Sequence, residues 1–234
     1  MELQLSLLES ERNSISKDNN LSAVILSAGT GSRIKEYSSN KPKPLLTINA
    51  LNEKPLLQTT IESLIKLCIK EIYIVSGYKY KKIKNFISSL YEKENQQKIQ
   101  LKLVDARPNY EKGPLYSFLS IIESHIYIKN KYILVLPGDT YFEYELIENA
   151  MNAFFNQSSR IKKSPILFCK NFTLNKLGKG HRKIIKSHQK ISIIEWKKNN
   201  ENNNEFQVFK QVKPSKIDTN KNINILLPLF VCPN

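Results

Sequence analysis

Short apolar runs separated by stretches of helical periodicity constrain this chain more than any other feature of its sequence. Ala23-Val24-Ile25-Leu26, Ile72-Tyr73-Ile74-Val75 and Tyr132-Ile133-Leu134-Val135-Leu136 are apolar at every position. A half-exposed strand would alternate; an unbroken run reads as a strand buried on both faces of a parallel sheet. Leu101 to Val104 supplies a further strand. Between the runs, Leu57, Ile61, Leu64, Ile65 and Cys68 recur at helical spacing, as do Ile83, Phe86, Ile87 and Leu90, then Leu115, Phe118, Leu119 and Ile122. The last of these helices opens at Gly113-Pro114, where a proline removes an N–H that would have no intrahelical partner. The first strand, helix and second strand make a βαβ unit, and the continued alternation predicts an α/β fold: a three-layer, doubly wound, mostly parallel sheet.

From Ser164 onward the pattern changes to strands with fewer helical stretches, broken by Gly178-Lys179-Gly180 and by the asparagine-rich run Asn199 to Asn204. That predicts a β-rich C-terminal part with a solvated loop. The expected organisation is an N-terminal extension over 1–20 followed by one domain over 21–234, of which 21–155 is the alternating part and 156–234 the β-rich part.

With 234 residues, 41% hydrophobic and 24% charged, the chain can bury one substantial core or at most two small ones. It carries 36 Lys plus Arg against 21 Asp plus Glu, a formal charge of +15, which points to anionic ligands. The excess is uneven: 1–155 holds 20 basic and 17 acidic side chains, while 156–234 holds 16 and 4. A solvated lysine-rich face and a grip on an anionic acceptor both fit that distribution. Cys68, Cys169 and Cys232 are odd in number and far apart, which argues against a disulfide framework and a zinc site and for a reducing compartment. No run approaches the roughly 20 apolar residues of a membrane-spanning helix. Glu2, Glu9, Glu11 and Asp18 give the N-terminus the wrong charge for a signal peptide. A soluble, cytoplasmic protein is expected.

Ligands of an open parallel sheet bind beyond the carboxyl ends of its strands, so the residues after each run carry the chemistry. After the first comes Ala28-Gly29-Thr30-Gly31-Ser32-Arg33. Its glycines let backbone N–H groups approach a phosphate, but it matches neither the dinucleotide fingerprint nor the P-loop. In Asn40-Lys41-Pro42-Lys43-Pro44-Leu45-Leu46 a proline on each side of Lys43 restricts the backbone and aims the cationic side chain. After the fourth run stands Leu136-Pro137-Gly138-Asp139-Thr140, where a carboxylate at a strand end suits either a Mg²⁺ shared with phosphate oxygens or a helix cap or turn.

The ordered combination of Gly29-Thr30-Gly31-Ser32-Arg33, Pro42-Lys43-Pro44-Leu45-Leu46 and Gly138-Asp139 resembles the nucleotidyltransferases of the sugar-phosphate pyrophosphorylase type over roughly residues 21 to 155. The resemblance implies that Ala28, Gly29, Thr30, Gly31 and Ser32 bind the triphosphate of an NTP, that Arg33 and Lys43 stabilise it, and that Asp139 binds Mg²⁺. It also places Gly113, in Glu111-Lys112-Gly113-Pro114-Leu115-Tyr116-Ser117, near the base. That segment resembles those of cytidylyltransferases acting on inositol or choline phosphate and of molybdopterin guanylyltransferases; CTP, GTP or UTP is favoured over ATP and the base stays open. The implied reaction moves an NMP to a phosphorylated sugar, polyol or amino alcohol with release of pyrophosphate.

Relatives often supply a second metal-binding aspartate late in the chain, for which Asp218 is the candidate, and Lys179, Arg182 and Lys183 beside Gly178 and Gly180 are candidates for holding the acceptor. Two other readings remain. A glycosyltransferase would show an Asp-x-Asp motif where Gly138-Asp139-Thr140-Tyr141 stands. A non-catalytic nucleotidyltransferase-like module, with a basic face for a partner or nucleic acid, would tend to have lost the clamp that Arg33, Lys43 and Asp139 retain. Nucleic acid is disfavoured as a partner, because 156–234 lacks aromatic-basic interleaving.

Overall fold

The computed structural model describes residues 20–31, 40–48, 53–94, 99–156, 163–173, 193–198, 206–212 and 222–234, which form two compact units. The first unit takes the chain up to Ile166 and then its last residues, Leu229–Asn234. Its strands are β1 (Leu21–Leu26), β2 (Glu71–Ser76), β3 (Gln100–Asp105) and β4 (Tyr132–Pro137), and its helices are α1 (Leu56–Lys66), α2 (Tyr80–Glu94), α3 (Pro114–Glu123) and α4 (Tyr144–Phe155). The four strands run parallel in the order β3-β2-β1-β4.

Register explains why the runs had to be apolar throughout. Ala23 lies beside Ile72 and Leu134, and Val24 beside Tyr73 and Val135, so successive rows face opposite sides of the sheet. Both rows are buried: Ala23, Ile72 and Leu134 at 0% exposure on one face, Val24, Tyr73 and Val135 at 0 to 1% on the other. A sheet hidden on both faces needs helices on both, which makes three layers. Ile121 and Phe118 of α3 pack against the Val24, Tyr73 and Val75 face. Leu57, Ile61 and Leu64 of α1, Ile83 and Ile87 of α2, and Ile147, Met151 and Phe154 of α4 are also buried, each worth about 1.5–3 kcal/mol relative to exposure.

At the amino ends of the strands lies a part-buried polar network. Glu71 accepts hydrogen bonds from Ser22 Oγ (2.6 Å), Tyr73 Oη (2.7 Å) and Lys102 Nζ (2.9 Å), and Asn130 Nδ2 donates to Ser22 Oγ at 2.9 Å. Burial pushes the Glu71 carboxyl up, but the hydrogen bonds from Ser22, Lys102 and Tyr73 outweigh it and hold it below the usual range.

Strand β8 (Asn222–Pro233) belongs to both units. Its end pairs antiparallel with β4, Phe230 beside Val135 and Pro233 beside Tyr132, so the sheet is mixed though mostly parallel. The second unit, Leu167–Pro228, holds β5 (Ile166–Thr173), β6 (Ile193–Lys198), β7 (Phe206–Val212) and the start of β8. There β6 runs antiparallel to β7 and to β8, with an irregularity between Glu195 and Trp196. The β-rich C-terminal part is as the sequence predicts. Among the described residues no helix is long and apolar enough to cross a membrane.

Candidate active site

The chain leaves β1 toward β2 and β3, then returns to place β4 on the other side of β1. That reversal is the switch point at which an open α/β sheet binds ligands. A cleft of about 310 Å³ lies there, lined by Ala28, Gly29 and Thr30 after β1, Pro44, Tyr110, Glu111 and Gly113 before α3, Ser117 within it, and Asp139 after β4.

Lys43 starts a 3₁₀ turn, Lys43–Leu45, entered from Pro42 in an extended conformation (φ −67°, ψ 145°). Leu45 N–H donates to Pro42 O at 2.9 Å, Leu46 N–H to Lys43 O at 3.1 Å, and Leu56 N–H to Leu46 O at 3.1 Å, which ties the turn to the start of α1. The two prolines restrict the backbone as expected, and Pro44 is buried. Gly31 (φ +62°) lies so close that a Cβ there would sit 3.3 Å from Lys43 Cβ; the positive φ and the approach both favour glycine. Lys43 Nζ pairs with Asp139 Oδ2 at 2.9 Å, the two side chains being 31% and 37% exposed.

Asp139 is placed by the glycine before it. Gly138 N–H donates to Leu26 O at 2.9 Å, and a Cβ at 138 would run into Ser27 Oγ and come within 2.9 Å of Ile25 Cγ2. Across the cleft, Gly113 caps α3 at φ 119°, and its carbonyl accepts from Ser117 N–H at 3.1 Å and Ser117 Oγ at 3.2 Å. The Tyr110 ring fills the space over Gly77, where a Cβ would overlap it. Burial and the neighbouring Glu111 carboxylate push the Tyr110 hydroxyl up. Tyr78 N–H donates to Ala28 O at 3.0 Å, joining the loops after β1 and β2.

Of the residues marked in the sequence, the structure gathers Ala28, Gly29, Thr30, Gly113 and Asp139 around one cleft, with Lys43 on Asp139 and Gly31 against Lys43. Ser32, Arg33, Lys179, Arg182, Lys183 and Asp218 lie outside the described residues. Tyr110, Ser117 and Gly77 carried no weight in the sequence reading. Gly77 had a usable signal, since it follows the buried run of β2 as Gly138 follows that of β4. Among the described residues no three His, Cys, Asp or Glu side chains form a metal cage. The Asp139 carboxylate is a hard-oxygen donor at the cleft, which fits a Mg²⁺ that draws most of its ligands from phosphates and water.

A glycine-rich turn and a proline-fixed lysine thus meet a strand-end carboxylate at the switch point of an α/β sheet. The chain belongs to the MobA-like NTP transferase domain family, which residues 23–166 match. It is 35% identical over 132 residues to the D-glycero-alpha-D-manno-heptose 1-phosphate guanylyltransferase of Campylobacter jejuni, covering 56% of this chain and 53% of that protein. It is 31% identical over 158 residues to the bifunctional protein GlmU of Methanococcus vannielii, covering 68% of this chain and 33% of that one. The match thus spans about half or less of these relatives' length. The inositol-1-phosphate CTP transferase of T. maritima shares the fold, with a TM-score of 0.58 and 16% identity over 91% of this chain and 70% of that structure.

Proposed function

We propose that the protein is a Mg²⁺-dependent, cytoplasmic nucleotidyltransferase that moves an NMP from an NTP to a phosphorylated small molecule (a sugar, polyol or amino-alcohol phosphate) and releases pyrophosphate. The observation that carries the reading is the meeting of Lys43 and Asp139 at 2.9 Å beside the glycine turn. A phosphate oxygen of the acceptor attacks the α-phosphorus; the bond from that phosphorus to the oxygen bridging to the β-phosphate breaks, and pyrophosphate leaves in line. Positioning and charge neutralisation dominate such chemistry. Backbone N–H groups of Gly29 to Gly31 cradle the triphosphate, and Lys43 and Arg33 neutralise it. Asp139 would hold the Mg²⁺, whose charge adds to that neutralisation; Asp218 is the candidate second ligand. Gly113 and Tyr110 border the base of the NTP, and the NTP is CTP, GTP or UTP in preference to ATP. Lys179, Arg182 and Lys183 are proposed to hold the acceptor's phosphate. Family membership and the C. jejuni relative's name, a guanylyltransferase for a heptose 1-phosphate, support this class of acceptor.

The test is pyrophosphate release with Mg²⁺ and each of the four NTPs against a panel of phosphorylated sugars, polyols and amino alcohols. One NTP and one acceptor should give turnover, and Asp139→Asn should lower it about a hundredfold or more. Silence of every pair, with nucleotide still bound, would replace the enzyme by a nucleotide-binding module.

A further inference from the structure

We propose that Lys43 keeps bare divalent metal off Asp139, so that the cleft takes up metal only together with a polyphosphate chain. The inference rests on the reading of Asp139 as the metal-binding carboxylate. Three observations converge on it. The Lys43 ammonium already occupies the cation position on Asp139, 2.9 Å from Oδ2. Its stem is backed by the 3₁₀ turn between Pro42 and Leu46 and by Gly31, which aims the ammonium at Asp139. The pair is about one third exposed on each side, and such pairs contribute little net stability, so a better anion can draw the ammonium off.

Two cases follow. A metal ion arriving alone meets a carboxylate already neutralised, with a like charge within contact distance, and Coulomb repulsion opposes it. A metal ion arriving on a polyphosphate brings anionic oxygens to which the ammonium can turn, and the carboxylate is freed in the same event. Lys43 thereby couples the two ligands, and by linkage the coupling is reciprocal.

The experiment measures Mn²⁺ binding by water proton relaxation enhancement, with and without inorganic tripolyphosphate, for the wild type, Lys43→Met, Asp139→Asn and the double variant. Methionine keeps an unbranched stem to pack against Gly31; Lys43→Gln is the substitute if Lys43→Met does not fold by circular dichroism. Lys43→Met should bind Mn²⁺ alone about tenfold more tightly than the wild type, and the gain should vanish in the double variant. The wild type should gain more Mn²⁺ affinity from tripolyphosphate than Lys43→Met does. Equal binding of bare Mn²⁺ by wild type and Lys43→Met, or a gain that survives in the double variant, overturns the proposal. If Asp139→Asn binds Mn²⁺ with tripolyphosphate as well as the wild type does, the assignment of Asp139 to the metal fails first, and the proposal falls with it.

Discussion

Gly138 shows how a single residue sets the spacing of the cleft. It stands where the end of β4 closes on the end of β1, with Ser27 Oγ in the place its Cβ would need. Ser27 is 2% exposed and its hydroxyl has no hydrogen-bond partner among the described residues. A buried hydroxyl in that state is a cost, and removing it is neutral to favourable. Ser27→Ala is therefore expected to leave the protein as stable or up to about 1 kcal/mol more so. Gly138→Ala in the wild-type background should lose about 1–3 kcal/mol by overpacking. The two changes should couple, since taking away Oγ removes the nearest obstacle and leaves Ile25 Cγ2 at 2.9 Å and the residue 27 Cβ at 3.3 Å. Urea denaturation of the two single variants and the double measures this; a strictly additive cycle would show that Ser27 does not set the Gly138 spacing.

At the scale of the element, the strand ends differ, with the candidate cleft at the carboxyl ends and a part-buried polar network at the amino ends. Glu71 and Tyr73, two apart, share a face of β2, and Tyr73 pairs in register with Lys102 of β3, which brings all three polar groups together. Because the folded Glu71 carboxyl is held below its ordinary value, its stabilisation is present above the unfolded value, about 4.3. It is lost as the pH falls through the lower folded value. Glu71→Gln should cost about 2 kcal/mol near neutral pH, and the gap to wild type should close as the pH drops below about 4. Unfolding measured across that range would count against the network if the gap stayed constant. None of this was legible in the sequence, where Glu71 is one polar residue before an apolar run and Lys102 merely interrupts another. The strands were legible because both rows of β1, β2 and β4 are buried and so must be apolar. Lys43 and Asp139 could be marked by local signals, prolines for one and a strand end for the other. Their contact could not, because it depends on β1 and β4 being neighbours.

For the whole molecule, the path of the chain matters more than its order. The β-rich part was expected over 156–234, but an apolar run carries no sign of direction, and β8 pairs antiparallel with β4. Its final residues, Leu229–Asn234, return to the unit that holds the cleft. There Leu229 and Val231 are 1% and 0% exposed, Asn234 N–H donates to Lys131 O at 2.9 Å, and its side-chain amide donates to Ile128 O at 2.6 Å. Without this segment β4 would keep β1 on one side and present an open edge on the other. Burial of the two apolar side chains contributes about 1.5–3 kcal/mol each, before the ladder hydrogen bonds are added. Together these approach the roughly 5–15 kcal/mol that a domain has in total. A chain ended after Pro228 is therefore expected to lose its cooperative thermal transition or to aggregate, although the glycine turn, Lys43 and Asp139 all remain. Nucleotide binding should be lost with the fold. An unchanged melting midpoint by circular dichroism would mean that β1 to β4 stand without their antiparallel neighbour, and that the last strand serves the second unit alone.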